Sequence, residues 1–546
     1  MLSSRFLALA CSCLLSLPVS AQTVTAVVQE GDVVAGVGAV TAVNNLAIND
    51  AGDWRVEVDT DNPDTQADGA LLLNGALEFR EGQILFGTVG VGSFDSVNVP
   101  SDVTGGWNFF LDGTTGNNDD SGIFHGGNLL IQEGQATIAP SLDPTGIYIG
   151  WLETKAIPGT ILMMSSLDDP SIIGAGSVDR ALVKANHDGA GVLLSEEVVA
   201  KEGDVPPGQT EEIVDMETGP HNFAINASGQ VMYTVDLAGD AAVDHATYLD
   251  GTLLAQEGMP SPVTGFNWAS LASSEVDLND FGDYVISGSL DAPSSSNLVI
   301  TRNGQKLIQE GDTLPAIAPF TLTSFGSGPV LITNQGDVLW YGDWNDPDTT
   351  RDTGLFLNDE LIVQEGVSTI GGAAITALRG IQDGYTISKN GKWILFECAL
   401  GSDDVAARIN RGGFNEFPSC VENVVSLAHT AGVPAVGESF TLSLDNGLQP
   451  LSVPFLAVSN APVPAPPPCG FTLPQGELMI ALAPPNPIIL EPGPFWSPGT
   501  PADITLSIPN TPSLAGAMYW SQGAMFHPGT TPTIVLSNAL VVELGE

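Results

Sequence analysis

A glutamate–glycine pair inside a short recurring motif constrains the fold of this chain more than any other feature of the sequence. Successive copies lie roughly fifty residues apart, a period found in several repeat architectures. One interval, from Glu133 to Glu202, is longer than the others. The glutamates of the seven copies are Glu30, Glu81, Glu133, Glu202, Glu257, Glu310 and Glu365. This regularity predicts a series of similar units rather than one irregular core.

A second motif runs in phase with the first. It consists of an Asn or Asp, a short gap, a Gly, and then an apolar and aromatic run. Its copies are at residues 49–52, 102–105, 143–146, 226–229, 279–282, 334–336 and 390–391. In the third unit the distance from this motif to the next repeated glutamate is too long, which predicts an insertion near residues 156–190.

The residue pattern of each unit predicts four short strands. In the first unit, residues 45–48 and 53–58 flank the turn at 49–52, and the second run alternates between apolar and polar residues. Further along, Asn74-Gly75 is a dipeptide typical of tight hairpins. Because helical periodicity is absent, two linked hairpins per unit predict the antiparallel blades of a β-propeller.

The two ends of the repeat region each lack part of a unit. Residues 25–32 form a glutamate–glycine strand with no unit before it, and the last unit, residues 384–413, ends without such a strand. Pairing the first strand with the last unit, as its outer edge, would close the ring and remove the open sheet edges. The sequence therefore predicts an all-β chain with a closed seven-bladed β-propeller over residues 22–413. An open β-solenoid array is the alternative.

The repeat region also resembles a known family. The Asn-x-x-Gly turn followed by an aromatic strand, together with the Gly-Asp and nearby prolines of residues 203–208, is similar to the tandem Asn-x-x-Gly repeats of secreted, planctomycete-like bacterial proteins. The resemblance covers residues 25–413. It implies propeller-like repeats and carries over no catalytic residue.

The composition changes near residue 412. From there to residue 546 the chain has no Lys or Arg, and short alternating runs are separated by Pro and Gly. These runs predict a C-terminal β-sandwich over residues 420–546. The segment resembles the C-terminal domains of secreted planctomycete proteins, through Cys420, residues 469–470, residues 504–512 and the ending at 536–540.

The amino terminus has the parts of a secretory signal. Arg5 precedes an apolar run over residues 6–17, and small residues follow at 19–21. The run is too short to span a bilayer, and no later stretch is long enough to do so. Residues 1–21 therefore predict a signal peptide cleaved after Ala21, and a secreted, extracellular or cell-surface protein.

Three cysteines remain after cleavage, and an oxidising compartment allows one disulfide. Cys420 and Cys469 lie in one compositional segment, so they are the predicted pair, and the C-terminal resemblance supports this pairing. Cys398 lies in an apolar run and is interpreted as a buried small side chain. A Cys398–Cys420 bridge is the alternative.

The charge of the chain excludes several classes of partner. It has 15 Lys and Arg against 64 Asp and Glu, a formal net charge of -49. Such a polyanion is repelled by nucleic-acid phosphates and by anionic membrane surfaces. The partner is therefore predicted to be an extracellular protein or a glycan of unknown identity.

Two sets of acidic residues are candidates for a functional role. A catalytic carboxylate is needed once rather than seven times, so the repeated glutamates are interpreted as structural, and the Gly after each suits a turn with positive φ. Two loops between second and third strands carry carboxylates at alternate positions, which suits the oxygen shell of calcium, although the EF-hand spacing is missing. Solvated loops that keep the protein soluble are the alternative. The candidate calcium ligands are Asp59, Asp61, Asp64, Asp68, Asp343, Asp346, Asp348 and Asp352.

Familiar catalytic motifs are missing from the sequence, which contains neither Gly-x-Ser-x-Gly nor His-Glu-x-x-His. His245 beside Asp244 comes nearest to an acid–base pair, but neighbouring residues on a strand point to opposite faces. The insertion of the third unit concentrates positive charge, and a functionless extra hairpin is preferred over a partner-binding loop. Its basic residues are Lys155, Arg180, Lys184 and His187.

The leading hypothesis from the sequence is a non-catalytic exported propeller that serves as a binding or extracellular structural module. The alternative is a propeller hydrolase or lyase that acts on polysaccharides through acidic residues in its central channel. Calcium is the only cofactor that the sequence predicts.

Overall fold

The computed structural model describes residues 23–172, 178–417, 423, 425–445, 452–463, 470–482, 488–497, 500–527 and 534–545. Within these ranges the fold is all-β, with one short 3-10 turn at Pro512–Leu514 and no α-helix. No helix in this part of the chain is long and apolar enough to cross a membrane. The predicted signal peptide and the predicted Cys420–Cys469 bridge lie outside the described residues. Cys398 is buried and free, as its apolar run predicts.

Seven successive curled sheets occupy the described part of the repeat region. Sheet 1 contains Val33–Val34, Gly38–Ile48, Trp54–Thr60, Gly69–Leu73 and Ala76–Arg80. Sheet 2 contains Ile84–Phe86, Val89–Phe94, Gly106–Asp112, Ser121–His125 and Asn128–Gln132. Sheet 3 contains Ile147–Ile157, Thr160–Asp168, Asp179–His187 and Leu193–Lys201. Sheet 4 contains Ile213–Met216, Phe223–Ile225, Val231–Leu237, His245–Leu249 and Thr252–Gln256.

The remaining three sheets of this region follow the same antiparallel order. Sheet 5 contains Trp268–Ser270, Val276–Leu278, Tyr284–Leu290, Leu298–Arg302 and Gln305–Gln309. Sheet 6 contains Leu322–Ser324, Leu331–Ile332, Val338–Trp344, Thr353–Leu357 and Glu360–Gln364. Sheet 7 contains Val24–Gln29, Thr369–Ile370, Ala373–Ala374, Ala377–Leu378, Tyr385–Ile387, Trp393–Leu400 and Asp403–Asn410.

The repeated turns have the backbone geometry that their residues favour. The hairpin residues Asn74 and Gly75 have φ values of 50° and 81°, both positive, as a two-residue hairpin turn requires. The Gly after every repeated glutamate also has positive φ, which confirms the prediction made for it. These glycines are Gly31, Gly82, Gly134, Gly203, Gly258, Gly311 and Gly366.

The Asn-x-x-Gly turn links neighbouring sheets as well as reversing the chain. In sheet 5, Asn279 Oδ1 accepts hydrogen bonds from the backbone N–H groups of Phe281 at 3.0 Å and Asp283 at 2.9 Å. Its Nδ2 donates to the carbonyl of Thr333, next to sheet 6, at 2.9 Å. The same side-chain-to-carbonyl bond recurs at other sheet junctions, from Asn49 to Pro100, from Asn226 to Asn279 and from Asn390 to Asp50. In these four copies the motif therefore joins one sheet to the next.

Replacing Asn279 by Ala is expected to lower the free energy of unfolding by about 2–4 kcal/mol. The side chain is 0% exposed, so its loss leaves two backbone N–H donors and one carbonyl without a hydrogen-bond partner at a place that water does not reach. Asn117→Ala, at an exposed loop position, is the matched control and should change stability by less than about 0.5 kcal/mol. Denaturant titration of both variants measures the difference, and equal midpoints would contradict the linking role.

The third unit departs from the sequence prediction. Residues 156–190 are not an inserted hairpin, because they hold the second and third strands of sheet 3 itself, each 9 residues long. The turn between its first two strands is at Pro158-Gly159, where Gly159 has a φ of 79°. Residues 143–146 instead form a turn before the first strand, in which Asp143 Oδ1 accepts the N–H of Thr145 at 2.8 Å. Asp-x-x-Gly is a common sequence for such a turn. Because it matches the repeated motif, the sequence placed the motif of this unit at the wrong turn.

The basic residues of this unit do not form a binding patch. Arg180 bonds to Ser166 within sheet 3, and Lys184 Nζ donates to the carbonyl of Gly229, next to sheet 4, at 2.8 Å. His187 is buried with its ring 4.2 Å from that of His125. Only Lys155 faces a cavity, which is described below.

The amino-terminal strand pairs with the last unit of the repeat region. Val24–Gln29 runs antiparallel to Asp403–Asn410, in a register from Val24 opposite Ile409 to Gln29 opposite Val405. It is not the outermost strand as predicted, since Val24 also forms one parallel bridge with Ile370. Val28 packs in one core with Val56 of sheet 1 and Leu395 of sheet 7.

The C-terminal part begins where the repeat region ends. Gly413–Phe417 pairs with Ile534–Glu543 in sheet 8, whose other strands are Val453–Ser459, Ile488–Pro492 and Met518–Phe526. Sheet 9 contains Ser426–Gly432, Ser439–Asp445 and Ala502–Ser507, and sheet 10 contains Phe471–Leu473 and Gly476–Leu478. Sheets 8 and 9 share a core that includes Leu442, Leu456 and Val542.

Candidate functional site

A cavity of about 440 Å³ is lined by residues from all seven sheets of the repeat region. It lies near several of the Asn-x-x-Gly turns, and sheet 2 contributes residues 97–101, which lie between two of its strands. The lining residues fall within 46–50, 97–101, 155–158, 221–227, 276–280, 331 and 383–389. We call this space the axial cavity.

The acids near the turns are held in structural bonds. Lys389 Nζ lies 2.9 Å and 2.7 Å from the two carboxylate oxygens of Asp277, and it also donates to the carbonyl of Leu278. The backbone N–H of Ala227 donates to Asp280 Oδ1 at 2.9 Å. Because these carboxylates already have partners, this end of the axial cavity offers no free acid or base.

Asp383, His221 and Lys155 form the other charged part of the wall. His221 Nε2 lies 3.4 Å from Asp383 Oδ1, and the His221 side chain is 11% exposed. Burial opposes ionisation of Asp383, but the neighbouring His221 and Lys155 outweigh it and lower the pKa of this carboxyl. Burial, followed by the charge of Lys155, lowers the pKa of His221, whose Nε2 is buried without a hydrogen-bond partner among the described residues. Asp383 is therefore ionised at neutral pH.

Two glutamates within electrostatic range of Asp383 have the opposite ionisation. Burial, opposed by the charge of Lys155 and aided by that of Asp383, raises the pKa of Glu275 to about 8. Burial likewise raises the pKa of Glu153 to about 8. Glu153 Oε1 accepts the N–H of Thr154, whereas Glu275 Oε2 is buried with no hydrogen-bond partner among the described residues. Glu275 is thus a protonated carboxyl with an uncommitted oxygen.

Two further acids in this electrostatic network are held by amides. Glu57 Oε2 accepts Nδ2 of Asn45 at 2.6 Å, and Asp95 Oδ2 accepts Nδ2 of Asn108 at 2.6 Å. Burial raises the pKa of Glu57 to about 8, and it also raises that of Asp95. Because their oxygens already accept hydrogen bonds from amides, these acids are less suited than Glu275 to give up a proton to a ligand.

Glu275 and Asp383 are within electrostatic range of each other, with Asp383 on the wall of the axial cavity and Glu275 next to its lining residue Val276. Carboxyl groups whose surroundings push their pKa values apart can take the two roles of acid–base catalysis at the same pH. Here Glu275 keeps its proton at neutral pH and Asp383 has lost its own. The pair comes from sheets 5 and 7, on opposite sides of sheet 6 in the chain.

None of the predicted calcium ligands belongs to a group of three close metal-ligand side chains among the described residues. Among the described residues, the group of three or more close metal-ligand side chains is Asp236, Asp244 and His245, which belongs to neither loop. Asp61 Oδ1 instead accepts the N–H of Ala39 at 2.7 Å. Asp346 Oδ2 lies 3.2 Å from Arg351 Nε. The loops use these carboxylates to fix their own backbone and side chains. Asp59, Asp64, Asp68, Asp343, Asp348 and Asp352 likewise belong to no such group of three.

Each repeated glutamate directly follows a strand, which is the last strand of sheets 1 to 6 and the amino-terminal strand Val24–Gln29 of sheet 7. Glu81 Oε2 accepts the N–H of Gly69 at 2.9 Å, and Glu365 Oε2 accepts the hydroxyl of Thr353 at 2.7 Å. Glu133, Glu310 and Glu30 make corresponding bonds to Ser121, Asn297 and Asp404. Glu202 and Glu257 are buried at the same position. These contacts suit the structural interpretation.

The roles of Glu153 and Glu275, which lie near lining residues of the axial cavity in the chain, were not predicted from the sequence. Each is a single residue in its unit, so a search for repeats passes over it. The signal available was a charge in or next to an apolar strand, as for Glu153 in the run Gly150 to Ile157 and for Glu275 immediately before Val276–Leu278.

Glycoside hydrolases are among the solved structures that resemble the chain. An α-L-arabinanase of Penicillium chrysogenum complexed with arabinobiose is 13% identical, with 71% of this chain and 98% of that chain covered and a TM-score of 0.24. An ancestral GH74 enzyme is 11% identical, with 74% and 57% covered and a TM-score of 0.22. An engineered GH43 glycoside hydrolase is 9% identical, with 96% and 98% covered and a TM-score of 0.21.

These structures are enzymes, and on this finding the prediction of a non-catalytic binding or structural module is wrong.

Sequence comparison adds a family without a known activity. None of the curated proteins matches the sequence. A family model described as "Family of unknown function (DUF7453)" matches residues 154–439, which is more than half of the chain. The match includes sheets 4 to 6 and most of sheets 3 and 7, and with them both Glu275 and Asp383. The chain therefore belongs to the DUF7453 family.

Proposed function

We propose that this protein is a glycoside hydrolase whose catalytic centre lies around Glu275 and Asp383, in the channel of a closed seven-bladed β-propeller. The observation that carries the proposal is the opposed ionisation of these two carboxyl groups, one protonated with a free oxygen and one ionised, beside a cavity shared by all seven sheets.

Contacts between sheets 7 and 1 support the closed ring. Besides the pairing of Val24–Gln29 with Asp403–Asn410, Asn390 donates from its backbone N–H to Asp50 Oδ1 at 2.7 Å and from Nδ2 to the Asp50 carbonyl at 2.9 Å. Trp393 packs in the core of sheet 1. The first and last sheets are thus joined by the kinds of contact that join successive sheets.

The two carboxyl groups suit the chemistry of glycosidic bonds. Hydrolysis needs one acid that protonates the leaving oxygen and one carboxylate on the other side of the anomeric carbon. Glu275 would give its proton to the oxygen of the departing sugar. Asp383 would stabilise the positive charge at the anomeric carbon and direct the attack of water on that carbon. Lys155 and His221 contribute by keeping Asp383 ionised.

The proposal predicts a bell-shaped dependence of kcat/KM on pH. The basic limb should fall near pH 8, where Glu275 loses its proton, because its pKa is raised to about 8. The acidic limb should lie below the usual range of an aspartate, because the pKa of Asp383 is lowered by its neighbours. An unperturbed glutamate would instead lose its proton near pH 4.3, so a basic limb in that region would contradict the assignment of Glu275.

Incubation of the purified protein with a panel of polysaccharides at pH 6 tests the function directly. Arabinan, xylan, xyloglucan and β-1,2-mannan cover neutral backbones of different geometry, and new reducing ends are the readout. Release from at least one of them by the wild type, lost in Asp383→Asn, is the expected result. No release from any substrate, or undiminished release by the variant, would overturn the proposal.

A further inference from the structure

Sheet 4 holds a cluster of ligand-type side chains that takes no part in the proposed reaction. Asp236 lies directly opposite His245 in the antiparallel register, and Asp244 comes just before the strand His245–Leu249. One ligand atom from each of these three residues lies within 4.8 Å of the other two. The expectation that Asp244 and His245 point apart is wrong, because Asp244 is outside the regular strand, and its Oδ1 lies 2.9 Å from His245 Nδ1.

Two more carboxylates surround the same imidazole. Glu217 Oε1 lies 2.9 Å from His245 Nε2, and Glu257 Oε1 lies 3.3 Å from His245 Nδ1. Both glutamates therefore hold the ring in place, and Glu257, one of the repeated glutamates, is only 3% exposed. Four carboxylates around one imidazole leave the cluster with an excess of negative charge.

One oxygen of the cluster has no partner in the protein. Asp236 Oδ1 is buried and accepts no hydrogen bond from any described residue. A carboxylate oxygen removed from water and left without a donor is strongly unfavourable, and a proton or a cation relieves it. The excess of carboxylates over donors here favours a cation.

Comparison among the sheets shows that the imidazole is not needed to build this part of the fold. The N–H of the repeated glutamate donates to the carbonyl of one equivalent residue in each sheet. That residue is Gly69, Ser121, Arg180, His245, Leu298, Thr353 and Asp404 in sheets 1 to 7. Sheet 4 alone among these has an imidazole there. An Asp across the strand pair and a second Asp just before the residue also occur in sheet 1, at Asp59 and Asp68, and in sheet 6, at Asp343 and Asp352, so the imidazole is what distinguishes sheet 4.

We propose that Asp236, Asp244 and His245 bind a divalent transition-metal ion, with Glu217 and Glu257 completing its surroundings. One imidazole nitrogen combined with carboxylate oxygens is a donor set that suits Zn²⁺ or Mn²⁺, whereas Ca²⁺ is bound by oxygen ligands alone. The ion would take the place of the imidazole proton that His245 shares with the neighbouring carboxylates. It would tie together strands Val231–Leu237 and His245–Leu249 of sheet 4.

Isothermal titration of the full-length chain, after treatment with EDTA, tests the site with Zn²⁺ and Mn²⁺ as the probes and Ca²⁺ for comparison. The expected result is one ion of Zn²⁺ or Mn²⁺ per chain, a higher melting temperature with the ion, and much weaker binding of Ca²⁺. His245→Gln and Asp236→Asn should each weaken binding by about 100-fold. Glu212→Gln removes an exposed charge near the same sheet and should leave the affinity unchanged.

Two outcomes would overturn the proposal. One is the absence of saturable binding of either transition metal up to about 1 mM. The other is wild-type affinity in both His245→Gln and Asp236→Asn, which would place the ion elsewhere on this acidic chain. Asp236→Asn keeps the shape of the side chain, and circular dichroism of each variant shows whether the fold is intact, so a lost affinity can be assigned to the lost ligand.

Discussion

Replacing Glu275 by Gln is expected to lower kcat/KM for polysaccharide hydrolysis at pH 6 by about 10³-fold, since general acid catalysis contributes on the order of 10²–10⁴-fold. The amide has the size of the carboxyl group but cannot give a proton to the leaving oxygen. Initial rates of reducing-end release measure the effect. Glu197→Gln, at an exposed position on the outer strand of sheet 3, is the matched control and should retain the wild-type rate.

The leaving group separates the role of Glu275 from that of Asp383. An aryl glycoside that releases nitrophenolate needs little protonation, so Glu275→Gln should keep much of its rate on that substrate while losing the polysaccharide. Asp383→Asn should lose both, because the charge at the anomeric carbon develops with either leaving group. The same fractional loss on both substrates for Glu275→Gln would contradict the role of general acid.

Stability at high pH shows whether the Glu275→Gln variant is folded. The pKa of Glu275 is raised from 4.5 to about 8 in the folded protein. The folded state therefore holds a proton that the unfolded state loses, and this group destabilises the fold increasingly as the pH rises from about 4.5 to 8. Gln removes this penalty, so the variant should melt higher than the wild type at pH 8 and close to it at pH 4. A buried group that lowers the stability of the folded state is typical of a functional site.

The fold was predictable where residues act locally and repeatedly. Gly31 and its six counterparts take positive φ, and Asn279 caps its own turn while bonding to the next sheet. Because such requirements recur from unit to unit, the residues that meet them recur at regular intervals in the sequence. The insertion predicted in the third unit was wrong because Asp143 forms a turn of the same composition at a different place in the sheet.

The site was not predictable from the repeats because its residues are the exceptions to them. Glu275 and Asp383 acquire their roles from burial and from neighbours on other sheets, Lys155 on sheet 3 and His221 on sheet 4. No spacing in the sequence specifies those distances. The same holds for His245, whose partners Glu217 and Glu257 come from other segments of sheet 4.

Deleting residues 23–30 is expected to unfold the chain or leave it aggregated. The strand contributes two valines that are 6% and 3% exposed, Val24 and Val28, and burial of each is worth about 1.5–3 kcal/mol. It also supplies the ladder of hydrogen bonds to Asp403–Asn410, each worth about 1 kcal/mol net. Together these approach the whole stability of a typical domain, on the order of 5–15 kcal/mol. The exposed edge left behind would be open to pairing with other chains.

Two valines of nearly the same sequence neighbourhood provide the matched comparison. Val28→Asp places a charge in the core between sheets 7 and 1 and should lower the melting temperature by more than about 10 °C, since burying an unpaired charge is among the most destabilising changes. Val33→Asp, where the side chain is 81% exposed, should leave it nearly unchanged. A synthetic peptide of residues 23–32 added to the truncated chain should restore folding if the strand closes the ring. Wild-type melting of the truncated chain would show that the seven sheets hold together without closure.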